Sequence, residues 1–434
     1  MTRVAMVEPF FRTSGVTTYA MHLAEGFKRA GCDVDVVTFM KDRARKVRGG
    51  QTATDANGKV QSGWQWSPYS ADRNVRWSDA ADALREYDLV FMNEPRCAPV
   101  DKEAMRKLGK GDIKVGRQRV ADYDLEYADV PAYIRALSES ETPWATCMHD
   151  PGYFPKLAPF LPQLMELAPP SLIVTHRPGS LESGQWAFDA AGESAPPHLM
   201  HPHLPFAFEP AKREHWPHVA GMLGRYINNK GQPTLIAVAA EGMMPDTWSV
   251  CIDGASPLGA GPNHTYLTYE ALTTRYGFPG TREGNGNVTT GDPWRVIGVA
   301  KYAGPYDDPI EASLRHGIHV NATEVGFSGP GSLEYADLEG LASGALLVLP
   351  THRNVTHDFA AEHYELAKCA NAELRPLDAD RTATLESLAG ALERASEHCD
   401  NPSERALLSE QNVAAAQEHN DPRRYAERIL ERAL

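Results

Sequence analysis

The sequence predicts an α/β chain made of two doubly wound units in tandem, and three observations carry that prediction. The opening alternates strand and helix: an apolar strand over 3–7, a loop over 8–15, an amphipathic helix over 17–30 stopped by Gly31, and a second strand over 34–39. The same alternation restarts near residue 218, with a strand over 218–223 and a helix over 233–241. At 434 residues, the chain is too long for one compact core. Two apolar starts in so long a chain read as two domains.

The remaining elements follow in order. In the first half, strands are expected over 89–92, 144–148 and 172–175, all runs of the kind buried on both faces of a parallel sheet. Pro196, Pro197, Pro202 and Pro205 then cluster around His198, His201 and His203. The histidine spacing resembles that of metal ligands, but the prolines favour a surface linker there. In the second half, strands are expected over 249–252, 296–299, 318–321 and 346–349, with helices over 308–316 and 333–343. Between them a Gly-, Pro-, Thr- and Asn-rich stretch, 253–295, reads as an insertion or long loops. Helices over 382–399 and 422–434 close the chain. The expected domains are 1–205, 206–410 and a C-terminal helical segment, 411–434, that crosses back to the N-terminal domain.

Composition narrows the setting. With 42% hydrophobic residues, there is enough apolar surface for two cores. No run of about 18 apolar residues is present, and the chain enters its first strand without a signal-like apolar segment. A soluble, intracellular monomer is the expectation. The six cysteines are widely spaced with no C-x-x-C pair, which argues against a local zinc site and for reduced thiols. Net charge is −14 but uneven: residues 1–120 hold 21 Lys and Arg against 15 Asp and Glu, and the remainder hold 22 against 42. Lys41, Arg43, Arg45, Lys46 and Arg48 follow a strand directly, and Arg73 and Arg76 come after them. Such a basic part on an acidic chain suits a localised contact with a polyanion, although solvated loop charges would look the same.

Four loop-to-helix junctions hold residues suited to chemistry. T-S-G-V-T (13–17) places Ser14, Gly15 and Val16 at a helix start, where backbone N–H groups can hold an anion or a sugar hydroxyl; an ordinary capped turn reads equally well. C-M-H-D-P-G (147–152) delivers His149 and Asp150 to the carboxyl end of a strand, where they can bind a sugar or take a proton from an attacking hydroxyl. G-R-Y-I-N-N-K-G (224–231) puts Arg225 and Lys230 in a loop where they can neutralise a departing diphosphate. Finally, L-E-Y-A-D-L-E-G-L-A-S-G (333–344) opens a helix with Glu334, Tyr335 and Glu339 and runs through Gly344 into an apolar strand. A helix start of that kind, at one edge of a parallel sheet, belongs to the ligand crevice.

Together these blocks resemble the retaining GT-B glycosyltransferases. G-R-x-x-x-x-K-G and the glutamates before the last strand pair occupy the expected order, and S-G-V-T, M-H-D and above all L-E-Y-x-x-L-E are similar to the DNA α-glucosyltransferases of T-even bacteriophages. The resemblance implies two Rossmann-like domains facing a central cleft. It implies metal-independent transfer of glucose, or the sugar of another UDP-sugar, to 5-hydroxymethylcytosine or 5-hydroxymethyluracil in duplex DNA, with retention, by a phage enzyme in the host cytoplasm. No cofactor beyond the donor is implied. By carry-over Arg225 and Lys230 bind the diphosphate, Glu339 the ribose, and Glu334 and Tyr335 lie by the sugar or phosphate. Ser14, Gly15, Val16, His149 and Asp150 line the acceptor side, and the base reaches the site by flipping out of the duplex. A GT-B enzyme acting on a lipid, polysaccharide or small molecule is the alternative.

Overall fold

The computed structural model describes residues 1–8, 15–40, 46–47, 51–52, 72–93, 114–115, 118–119, 130–149, 157–201, 203–210, 218–223, 230–244, 247–253, 281–282, 288–289, 296–297, 310, 313–314, 316–323, 334–350, 364–367 and 379–434. The chain divides into two compact units: Met1–Ala207 together with Asn420–Leu434, and Phe208–His419.

Unit 1 is built on a seven-stranded sheet. Its strands are β1 (Arg3–Val7), β2 (Asp33–Met40), β3 (Arg73–Arg76), β4 (Leu89–Asn93), β5 (Trp144–Cys147), β6 (Leu172–Thr175) and β7 (His198–Met200). The order is β7-β6-β5-β4-β1-β2-β3 and every pair is parallel. The chain thus starts in the middle of the sheet and winds outward in both directions. β1, β4, β5 and β6 are apolar on both faces because helices cover both, as parallel sheets require. Those helices include α1 (Gly15–Arg29), α2 (Ala80–Leu84), α3 (Val130–Ser140), α4 (Leu161–Leu167) and α5 (Pro178–Ala191).

Pro178 opens α5, where its fixed φ and missing N–H suit the first helical position. One finding in this unit departs from the sequence expectation. The proline-rich histidine cluster is no surface linker at its start: His198–Met200 pairs with β6, and His201 is buried. Flanking prolines are compatible with that position because β7 is an edge strand.

Unit 2 carries a six-stranded sheet, again all parallel: β8 (Val219–Leu223), β9 (Ser249–Asp253), β10 (Val296–Ile297), β11 (Ile318–Val320), β12 (Leu346–Pro350) and β13 (Tyr364–Ala367). The order is β10-β9-β8-β11-β12-β13, so β8 and β11 lie side by side although almost a hundred residues separate them. Its helices include α6 (Gln232–Ala240), α7 (Tyr335–Ala342), α8 (Ala379–Asp400) and α9 (Pro402–His419). Leu235, Ile236, Val238, Leu346, Val348, Leu388 and Leu392 form the centre of the core. At the foot of α7, Gly344 adopts φ 79° and turns the chain into β12, all of whose residues are buried.

The last helix, α10 (Pro422–Ala433), belongs to unit 1 and packs against α1. Its buried residues, Tyr425, Ala426, Ile429 and Ala433, form one stripe at helical spacing. Among the described residues no helix is long and apolar enough to cross a membrane.

Candidate functional site

In unit 2 the carboxyl edge of the sheet brings together the ends of β8 and β11 and the starts of α6 and α7. Lys230 and Gly231 stand at the start of α6, and Gly231 takes φ 82°. A side chain there would also strike the Ala322 carbonyl oxygen, at 2.2 Å from an ideal Cβ. The position therefore demands glycine for both its conformation and its closeness to the loop after β11. Lys230 Nζ donates to Glu334 Oε2 in a half-buried ion pair. Glu334 is in turn the N-cap of α7, so one cation and one carboxylate meet where two helix starts aim their positive ends.

A buried carboxylate holds this arrangement in place. Asp337 is 0% exposed, and its two oxygens accept from Asn321 Nδ2 at 2.9 Å each, while the Glu334 N–H donates to Oδ2 at 2.8 Å. His319 Nε2 lies 3.3 Å from Oδ1. Asn321 Oδ1 accepts from the Thr323 N–H at 3.0 Å, which shapes the loop leaving β11. Gly340 lets α7 sit on this group: a Cβ there would lie 2.6 Å from His319 Cγ. The first glycine of L-E-G-L-A-S-G is thus explained by the ring beneath it.

In unit 1 a row of polar side chains follows the carboxyl edge of the sheet. Glu8 follows β1, Asn93 ends β4, Cys147 and His149 end β5, and His176 and His201 follow β6 and β7. Asn93 Nδ2 donates to Glu8 Oε2 and to the Val16 carbonyl, the latter at 2.8 Å. Its Oδ1 must then be the acceptor, and it faces His149 Nε2 at 2.9 Å. Thr17 Oγ1 donates to Glu8 Oε1 at 3.3 Å, so the start of α1 is tied to the same carboxylate. Tyr19 lies edge-on to the His149 ring, with 4.4 Å between centroids, and its hydroxyl donates to that of Tyr425 at 3.0 Å. Burial pushes the Tyr19 and Tyr425 hydroxyls up well above the usual tyrosine range, with Cys147 adding to both. Burial likewise pushes His176 and His201 down to about 3, so both rings are neutral at physiological pH.

The predicted site residues fall into three groups. Lys230, Glu334, Tyr335 and Glu339 lie together at the unit 2 edge; Tyr335 is buried at the first turn of α7, and Glu339 is half-buried one turn later. Gly15, Val16 and His149 lie together at the unit 1 edge, with the His149 ring turned inward onto Asn93 and Tyr19. Arg73 is held by Glu86 through two bonds of 2.9 Å, and by the Tyr87 hydroxyl at 3.1 Å, while Arg76 is exposed. Lys46 lies in a two-residue strand of a small hairpin. Ser14, Lys41, Arg43, Arg45, Arg48, Asp150 and Arg225 lie outside the described residues. The sequence reading passed over Glu8, Asn93, Asn321 and Asp337. The first three stand at the carboxyl ends of strands, where the crevice of a doubly wound sheet forms, and that position was the available signal.

No protein-family model matches the sequence, and no curated protein matches it. Solved structures do match, over nearly the whole chain. An alpha-glucosyltransferase in complex with UDP-glucose and DNA containing an abasic site superposes with a TM-score of 0.61 at 13% identity, covering 99% of this chain and 98% of that one. The complex of an alpha-glucosyltransferase with UDP and a 13-mer DNA containing an HMU base gives 0.62 at 13% identity, with the same coverage. HepE of Anabaena in complex with UDP-glucose gives 0.55 at 13% identity, covering 99% of both chains. The fold expected from the sequence, an α/β GT-B architecture of parallel sheets, is the fold these proteins share with this chain.

Proposed function

We propose that this chain is a hexosyltransferase that takes a UDP-sugar, with glucose the first choice, and transfers the sugar to the hydroxymethyl group of a modified pyrimidine in DNA. The observation that carries the reading is the meeting of Lys230 and Glu334 at the starts of α6 and α7, in a fold shared with structures that hold UDP-glucose or UDP. Two helix N-termini and an ammonium suit a diphosphate, and a carboxylate suits sugar hydroxyls. On this reading the donor displaces the Lys230–Glu334 pair: Lys230 and Arg225 turn to the diphosphate, and Glu334 turns to the sugar. Glu339 takes the ribose. Lys230 and Arg225 then stabilise the negative charge that develops as the C–O bond to the diphosphate breaks.

Unit 1 takes the acceptor. The base hydroxymethyl attacks the anomeric carbon on the face that the diphosphate leaves, which retains configuration, and the departing phosphate accepts the proton. Support for DNA comes from the excess of Lys and Arg in residues 1–120 and from the likeness to a structure holding an HMU-containing 13-mer. The enzyme would be phage-encoded, act in the host cytoplasm with no metal in the transfer step, and bind DNA with steep salt dependence. A second reading keeps the UDP-sugar donor, which the HepE structure also holds, and takes a lipid, polysaccharide or small molecule as the acceptor.

One experiment separates them. Labelled UDP-glucose is mixed with the protein and with duplexes carrying 5-hydroxymethylcytosine, 5-hydroxymethyluracil or no modification, and the DNA is digested to nucleosides. Label on a hydroxymethylated nucleoside is expected. UDP-glucose turnover with no label on any duplex would sink the DNA acceptor and leave the second reading.

A further inference from the structure

We propose that Cys147, His149 and His176 form a zinc-binding site at the carboxyl edge of the seven-stranded sheet. Cys147 Sγ lies 4.0 Å from His149 Nδ1 and 3.9 Å from His176 Nδ1, and the three atoms lie within 4.8 Å of one another. A tetrahedral zinc ion sets sulfur and nitrogen ligands about 3.5 Å apart, so the two Sγ–Nδ1 separations need shorten by only a few tenths of an ångström.

The topology makes the convergence a consequence of register. Cys147 pairs with Val174 across β5 and β6, so His149 and His176 are the next residues of the same side-chain parity on two adjacent parallel strands. Cys147 and His149 stand two apart and share a face. The sequence reading looked for paired cysteines, and this set mixes one thiol with imidazoles from two strands, 29 residues apart.

The surroundings prepare the ligands. Because Asn93 presents its Oδ1 to His149 Nε2, that nitrogen carries the ring proton and Nδ1 is left with the lone pair aimed at Sγ. Such an outer partner is what fixes the tautomer and raises the basicity of metal-bound imidazoles. Asn93 is itself fixed by Glu8 and the Val16 carbonyl. Soft thiolate with two imidazoles selects zinc over magnesium or calcium, which prefer oxygen. Binding exchanges one proton: Zn²⁺ joins Sγ and the two Nδ1 atoms, and the Cys147 thiol proton leaves to solvent. Neither oxidant nor reductant takes part.

The 434-residue chain, purified from zinc-supplemented cells and desalted, is measured by metal mass spectrometry. The metal-stripped protein is then titrated with Co²⁺. One zinc per chain is expected, together with a thiolate-to-cobalt charge-transfer band. Cys147→Ser and His176→Gln are each expected to lose the zinc, and Cys147→Ser the band, while far-ultraviolet circular dichroism reports their fold. Cys32→Ser, just before β2 at the opposite edge of the sheet, should keep both signals. Wild-type protein with no more zinc than Cys147→Ser, or a cobalt complex lacking the thiolate band, would overturn the proposal. Should both ligand variants misfold, the wild-type cobalt spectrum still decides it.

Discussion

Asp337 offers the sharpest test of the unit 2 edge. Its carboxylate is fully buried and receives Asn321 Nδ2 and the Glu334 N–H at 2.8 to 2.9 Å, with His319 Nε2 lying 3.3 Å from Oδ1. A hydrogen bond to a charged group contributes about 1.5–3 kcal/mol, and a buried donor stripped of its acceptor costs about 1–3 kcal/mol. Asp337→Ala leaves the Asn321 amide and the Glu334 N–H without that acceptor and opens a small void, so a loss of about 3–5 kcal/mol is expected. Asp337→Asn keeps one oxygen but sets an amide against a donor, and should cost about 1–3 kcal/mol. The α7 start loosens in both, so UDP affinity should fall with the same ranking. Urea unfolding of the full chain gives the stabilities, hydrogen exchange over 318–350 locates the loss, and calorimetry gives the affinities. If Asp337→Ala unfolds within about 0.5 kcal/mol of wild type, or Asp337→Asn is the more damaging, the account of this carboxylate as the anchor of Glu334 fails.

Three further predictions test other parts of the molecule. Lys230→Met should weaken UDP-glucose binding about tenfold or more, as expected for a lost charge-assisted contact, with little change in unfolding midpoint; calorimetric titration measures the first and thermal unfolding the second. Gly340→Ala should destabilise unit 2 by about 1–3 kcal/mol, because its Cβ would fall 2.6 Å from His319 Cγ and force the ring or α7 to shift, which thermal unfolding will detect. Stability should also fall on acidification from about pH 6.5. His22 and His201 are pushed down to about 3 by burial, so below 6.5 the unfolded chain takes up protons that the folded chain refuses. Each contributes stability that is fully present above 6.5 and is lost by up to about 1.4 kcal/mol per pH unit as pH falls towards 3. Urea midpoints between pH 7 and 5 check this, and His22→Gln should flatten the slope; a flat wild-type profile would contradict it.

Much of the fold was written locally. The expected strands over 3–7 and 172–175 coincide with β1 and β6, the Gly31 and Gly344 stops both adopt positive φ, and 346–349 is the buried strand it reads as. What the pattern hid was weakly amphipathic or punctuated by turn residues. Helix α9 buries only Leu408, Asn412 and Ala416, too thin a stripe to stand out, and α5 begins with a Pro-Gly pair that looks like a break. The helix expected over 308–316 and the insertion over 253–295 lie largely outside the described residues.

The candidate site divides along the same line. Short-range chemistry places Lys230 after a strand and Glu334 at a helix start, because strand ends, caps and glycine stops depend on a few neighbouring residues. Strand order, by contrast, depends on which apolar faces fit together across the whole chain, and no window of sequence contains that information. Only the tertiary structure sets β8 beside β11 so that Lys230 meets Glu334, 104 residues away. Only it returns α10 to α1, joining Tyr19 to Tyr425 across 406 residues, and lines up Glu8, Asn93, Cys147, His149 and His176 along one sheet edge. The residue types were legible one by one; their convergence is a property of packing.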